Sequence, residues 1–190
     1  YDSAEEETIE VGISYTTRIF ERRPRVDGGR IAAVVGGNAP HWRFGVALAI
    51  EHDRVIVTQG GYFGDAAPVM ERGFLDFARS LDSPCIAEVI DGAVPVSSFS
   101  TYRFGASLRR RYERLTRFPS GYLVFGDAVC SFNPVYGQGM SVAALEARLL
   151  KQILSDQALK TDPLDGLATT FFAKSLALIE DWPVPTAAAG

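Results

Sequence analysis

The chain has 190 residues, 47% of them apolar and 22% charged, with a formal charge of −4. That length closes one ordinary core, and that balance belongs to a globular chain rather than a disordered one. The net acidity argues against nucleic acid as a partner, and no apolar run approaches the ~20 residues of a membrane span.

The opening "YDSAEEETIE" is acidic and has no apolar stretch of the signal-peptide kind. It carries neither an initiator methionine nor a helix cap, and the close "WPVPTAAAG" directly follows a helical pattern. The expectation is therefore an internal piece of a longer protein. Cys85 and Cys130 suit a reducing, cytoplasmic compartment and give no disulfide framework. Together with His41 and His52 they show no metal-ligand spacing.

Residues 8–22, "TIEVGISYTTRIFER", alternate with the period of a half-buried strand. Ile9, Val11, Ile13 and Tyr15 fall on one face, and Glu10, Ser14, Thr16 and Arg18 on the other. A break at "RPRVDGG" precedes a second strand in "RIAAVV". "WRFGVALAIEHDRVIVTQGGYF" reads as two strands joined by a tight turn at His52 and Asp53, giving one antiparallel sheet with a covered face and a wetter one. Pro68 is placed as the first residue of a helix on which Leu75, Ala78 and Leu81 recur at helical spacing. "PCIAEVID" suggests a second, short helix, and "PVSSFSTYRF" a return to strand anchored by Val96, Phe99 and Tyr102. The basic run "LRRRYERLTR", residues 108–117, reads first as a solvated surface and second as a phosphate or partner contact. "GYLVF" has the composition of a short buried strand. A helix from about Gln138 to Asp156 then carries Val142, Leu145, Leu149 and Ile153 on one stripe, with Arg148, Lys151 and Gln152 outside. Asp162-Pro163 is placed as the cap of a last helix bearing Phe171, Phe172, Leu176 and Ile179. A sheet with covering helices followed by a strand–loop–helix unit makes an α+β fold, an antiparallel or mixed sheet with α/β character in its second part.

The chemistry concentrates in "GYLVFGDAVCSFNPVYGQGMSVAALEARLL", residues 121–150. An acid just beyond a strand end stands where open α/β sheets bind ligands, and Asp127, an acceptor-only group, suits a ligand that presents hydroxyls. Pro134 stiffens the loop, while Gly137 and Gly139 let the backbone approach a flat ligand with no Cβ in the way. The helix that follows aims its free N–H groups and positive dipole end over the loop.

Gly126, Asp127, Ala128, Pro134, Gly137 and Gly139 reproduce a Gly-Asp-Ala, gap, Pro, Gly-x-Gly pattern. This resembles the second flavin motif of the FAD-dependent monooxygenases, the group of aromatic hydroxylases, flavin halogenases and geranylgeranyl reductases. The resemblance implies FAD as cofactor, Asp127 on its ribityl chain and Pro134 beside the isoalloxazine. It also implies that amides near Gly139 and Met140 face the pyrimidine edge, and that Gly126, Gly137 and Gln138 belong to the cofactor-binding set. A helix start there favours the reduced, anionic ring. It further implies a substrate-binding sheet domain over residues 1–118, the C-terminal part of an FAD-binding domain over 119–190, and a small apolar organic substrate. NAD(P)H is one candidate for the reductant. Cys130 stands where many members carry histidine, and Met140 where asparagine is frequent. The chain has no Gly-x-Gly-x-x-Gly after a strand, so the resemblance places the ADP-binding half upstream of Tyr1.

Weaker signals have plainer readings. Tyr62 and Phe63 could line a substrate pocket but fit a turn after a strand equally well. His41 and His52 suit surface roles, and Cys130 a small buried side chain. Trp182 in "DWPVP" does not form the two-tryptophan signature of halogenases. No Ser/His/Asp or Cys/His set supports hydrolysis. An NAD site built from "GQGMSV" fails because roughly ten residues separate the strand from the first glycine, where the fingerprint needs an immediate turn. A non-enzymatic α+β module holding a lipid or peptide stays open, as does hydroxylase against reductase chemistry.

Overall fold

The computed structural model describes residues 1–23 and 29–180. Most of the break at "RPRVDGG" (residues 24–28) and Trp182 lie outside the described residues. In chain order come β1 (Glu6–Glu21), β2 (Ala32–Val35), β3 (Arg43–Ile50), β4 (Arg54–Gly61), α1 (Glu71–Arg79), α2 (Cys85–Ile90), β5 (Ser100–Arg110), β6 (Cys130–Ser131), α3 (Gln138–Gln157) and α4 (Leu167–Glu180). The six strands form one sheet in the order β2-β3-β4-β1-β5-β6. The pairs β2–β3, β3–β4, β1–β4 and β5–β6 are antiparallel. The fold is α+β, as the alternation and the helical stripes imply.

Two compact units divide the chain: Gly12–Gly105, and Tyr1–Val11 with Ala106–Gly190. In the first, strict alternation along β4 buries Val55, Val57 and Gln59 against α1 and α2 and leaves Ile56 and Thr58 half-buried on the opposite face. Phe74, Phe77, Ala78, Leu81, Ile86 and Ile90 complete that core. Gly45 marks how closely α2 lies on the sheet, because a Cβ there would come within 2.6 Å of Leu81 Cδ1 and 3.0 Å of Ile86 Cγ1. Gln59 donates from Nε2 to the Phe74 carbonyl at 3.1 Å, which fastens β4 to α1 through a buried polar group. At the hairpin tip His52 (φ 63°) and Asp53 (φ 50°) both adopt the left-handed region that a tight β-turn requires.

The alternation along β1 does not run through unbroken. Val11 and Ile13 are buried, but beyond them Ser14, Thr16 and Phe20 turn inward and Tyr15 is only half-buried; Ile9 is exposed. Gly12 sits at φ 63°, and the consecutive buried pair Ile13–Ser14 switches the parity of the strand, as a β-bulge does. The buried Thr16 hydroxyl is satisfied by the Ala67 carbonyl.

Helix α1 starts at Glu71, after an extended Met70, so Pro68 lies ahead of the helix rather than at its first position. Pro68 packs instead under Gly73, where a Cβ would meet its ring at 2.9 Å. Phe99 anchors the approach to β5 by packing on Phe74 at 5.3 Å, whereas Val96 and Tyr102 are exposed, Tyr102 leaning on Tyr15 at 5.4 Å.

In the second unit α3 and α4 pack around Phe171, Phe172, Ile153 and Val142, with Val124, Val129 and Phe132 from the preceding loops. The expected stripe of α3 faces inward, and Arg148, Lys151 and Gln152 are exposed. "GYLVF" is not a ladder strand: Gly121–Phe125 has no strand partner among the described residues, and only Val124 is fully buried. Phe125 keeps extended dihedrals (φ −149°, ψ 150°), so the β preference is present while a neighbour to pair with is not. Asp162 caps the turn before α4, accepting from the Leu164 amide at 3.0 Å, and the helix itself begins at Leu167.

The basic run is a solvated surface only in part: Arg109, Arg110 and Arg111 are half-buried, whereas Arg114, Thr116 and Arg117 are exposed. It continues β5 as far as Arg110, and its arginines meet the acidic N-terminus: Arg110–Glu6 at 2.8 Å, Arg114–Glu5 at 2.6 Å and Arg111–Glu7 at 2.5 Å. Arg111 also reaches Glu180 at 3.1 Å, and Arg109 pairs with Glu113 at 3.4 Å. The long side chains bury their stems while their heads find carboxylates.

Candidate functional site

The loop between β5 and α3 is built by backbone conformation. Gly126, at φ 61°, starts a short 3-10 turn through Ala128 that closes with the Val129 amide on the Gly126 carbonyl at 2.8 Å. Arg110 secures the exit of this turn, donating from Nη1 to the Ala128 carbonyl (3.1 Å) and from its amide to the Val129 carbonyl (2.9 Å). The two residues of β6 then pair with Leu108 and Arg109. Asn133, which the sequence reading passed over, orders the next stretch: its Oδ1 accepts the Val135 amide at 3.1 Å and caps the 3-10 turn Pro134–Tyr136. Gly137, at φ 64°, swings the chain from that turn into α3.

Helix α3 begins with no side-chain cap. Its N-cap is the glycine Gly137, which has no side chain to offer, and its first turn carries the positive end of the helix dipole. Asp127 lies against this end: a Cβ on Gly139 would sit 3.3 Å from Asp127 Oδ1, tighter than ordinary side-chain contact. Glycine at 139 is thus what lets the carboxylate and the helix start share the space. Asp127 hydrogen-bonds to neither of the flanking turns as a cap, and it is exposed.

Of the residues singled out from sequence, Asp127, Pro134, Gly137 and Met140 are exposed, Met140 by 82%. Gly126 and Gly139 are half-buried, and Gln138 turns inward. The structure brings Asp127 and Gly139 into contact and sets Gly137 and Gln138 at the helix start beside them. Sequence reasoning missed Glu146, a carboxylate on the apolar stripe of α3 that is 0% exposed and accepts the Gly126 amide on Oε2 at 2.9 Å. The available signal was its spacing, four residues after Val142 and three before Leu149. Burial pushes the Glu146 carboxyl above its usual range, opposed by the Gly126 N–H and by the charge of Arg109. Burial likewise pushes the Cys130 thiol up, so this cysteine is a small buried side chain.

Away from the loop, Tyr62 is a core residue packed on Phe44 at 6.2 Å, while Phe63, at φ 57°, is 73% exposed with Trp42 at 6.2 Å. His41 and His52 are exposed. Among the described residues no helix is long and apolar enough to cross a membrane.

No protein-family model matches the chain. It is 34% identical over 170 residues to Protein Rv3254 of Mycobacterium tuberculosis, an alignment covering 85% of this chain and 34% of that protein. Among solved structures it resembles a triple mutant of the flavin-dependent brominase Bmp2, with a TM-score of 0.66 at 12% identity over 91% of this chain and 43% of that one. Klebsiella pneumoniae HpxO, complexed with FAD and uric acid, gives a TM-score of 0.61 at 16% identity over 90% of this chain and 42% of that one. At these identities the likeness is one of fold. The chain spans about a third of the length of the curated relative and less than half of these two structures.

Proposed function

We propose that this chain is the substrate-sheet and flavin-contacting part of an FAD-dependent oxidoreductase, a monooxygenase or reductase acting on a small apolar organic substrate. The observation that carries the reading is the close approach of the Asp127 carboxylate to the start of α3 across the missing Cβ of Gly139. An exposed acceptor beside the positive end of a helix, with Gly139 half-buried and Met140 exposed in its first turn, suits a ligand that is hydroxylated at one end and electron-rich at the other. FAD has that chemistry, and the fold is shared with Bmp2 and HpxO.

In this reading Asp127 accepts hydrogen bonds from ribityl hydroxyls. Pro134 and Gly137 hold the loop to one path, and the amides of Gly139 and Met140 offer donors to the ring. A helix N-terminus stabilises negative charge by ~0.3–1 kcal/mol, more when partly buried. The bound flavin supplies the electron-transfer chemistry that no side chain here provides. The parts extend over residues 1–118 for the substrate sheet and 119–190 for the flavin loop and its helices. An uncovered sheet face in the Gly12–Gly105 unit supports an apolar substrate: Val34, Leu48 and Tyr102 are exposed on it, with Val46, Ile56 and Ile19 half-buried between them.

That same face would also suit a binding module for an apolar ligand, the second reading. Purifying the full-length protein separates the two. A flavin absorbance spectrum, with FAD released on denaturation, is the expected result, and a colourless protein that takes up no added FAD overturns the proposal.

A further inference from the structure

Glu146 has no role in the motif as the sequence states it, yet it is among the most buried side chains of the chain. Its stripe neighbours Val142, Leu149 and Ile153 are apolar, and an apolar residue would satisfy packing there. A buried carboxylate is unfavourable unless its oxygens are engaged. Oε2 is engaged by the Gly126 amide at 2.9 Å, and Oε1 has no hydrogen-bond partner among the described residues. Packing gives α3 no reason for an acid at this place; the Gly126 N–H and the charge of Arg109 do. Gly126 is the residue that turns the chain at φ 61° immediately before Asp127, and α3 also carries Gly139, which makes room for the Asp127 carboxylate. One helix therefore grips the loop at two successive residues, by a hydrogen bond at Gly126 and by close contact at Asp127.

We propose that Glu146 is a positioning residue for the ligand carboxylate: by holding the Gly126 amide it sets where Asp127 stands beside the start of α3. The inference rests on the flavin reading of Asp127. Glu146 itself touches the loop backbone, and it acts on the ligand through Asp127.

The test uses the full-length protein, FAD titration, and far-UV circular dichroism to verify folding. Glu146→Asp withdraws the acceptor by one methylene, and Glu146→Leu removes it at similar volume; each is expected to weaken FAD binding roughly tenfold. Glu146→Gln keeps a carbonyl acceptor and is expected to stay within about threefold of wild type, which a bulk packing role would not distinguish from leucine. In an Asp127→Ala background Glu146→Leu is expected to add less than about threefold, because the two residues act through one contact. Should the leucine variant fail to fold, the aspartate variant carries the same comparison. Wild-type affinity in the aspartate and leucine variants, or equal losses for glutamine and leucine, overturns the inference alone. A wild-type protein that binds no FAD overturns it together with the flavin reading.

Discussion

At Gly60 a Cβ would lie 2.3 Å from the Ser14 carbonyl oxygen, 2.7 Å from Phe44 Cζ and 2.7 Å from Tyr15 Cβ. The nearest of these is backbone on a paired strand and cannot swing aside. Gly60→Ala is therefore expected to destabilise the fold by ~1–3 kcal/mol, read as a lowered urea midpoint. Gly105, with nothing within 4 Å of its Cβ position, is the control. Alanine there should be neutral or stabilising by up to ~1 kcal/mol, since glycine in a strand loses more chain entropy. A second expectation concerns Cys130. Its thiol is buried and held above the usual range, so it stays protonated at neutral pH. A thiol reagent should label Cys130 in the native protein much more slowly than in the unfolded one; equal rates would mean the loop opens freely. Asp127 and Glu146 form the corresponding pair in the proposed function, the first exposed and the second buried with the Gly126 amide on its Oε2.

At the scale of elements, the Arg109–Arg114 segment pairs with Glu5, just ahead of β1, and with Glu6 and Glu7 at its start, in an ion-pair ladder closed by Glu113 and Glu180. The Arg111 guanidinium holds the Glu7 carboxyl below its ordinary value of 4.5. A carboxyl with a depressed folded-state pKa contributes stability above its unfolded value and loses it as pH falls through the folded value. Stability should therefore fall as pH drops below about 5, and Glu7→Gln should flatten that acid limb by lowering the neutral-pH plateau slightly while leaving the low-pH end nearly unchanged. A limb equally steep in the variant would show that other carboxyls govern it. These elements also show what one-dimensional reading can reach. β1, β3, β4 and α3 were legible because periods of two and about 3.6 residues survive in the sequence. The parity switch at Gly12 was not, because a glycine hides which way the next side chain points. Nor was the fate of the arginines. A charge run reads as solvated until its partners, about a hundred residues earlier in the chain, are folded against it. "GYLVF" has strand composition, but composition does not supply a neighbour. Glu146 escaped because a single acid in an apolar stripe looks like an exception rather than a partner.

At the scale of the molecule, an α+β fold shared with flavin-dependent enzymes carries the one loop to which we assign a hydroxylated, electron-rich ligand. The chain corresponds to about a third of its curated relative, so flavin binding is expected to depend on the rest of the protein. The isolated 190-residue chain should take up FAD weakly or not at all by titration, and micromolar binding would contradict a divided site. The most direct measurement is FAD affinity of full-length Asp127→Ala, taken together with melting of its apo form. A charge-assisted hydrogen bond is typically worth ~1.5–3 kcal/mol, and each 1.4 kcal/mol is about a factor of ten. The account predicts a ten- to hundredfold loss of FAD affinity with the apo melting temperature nearly unchanged, because Asp127 caps neither flanking turn. Unchanged affinity with a lowered apo melting temperature would contradict it, returning Asp127 to a purely structural role.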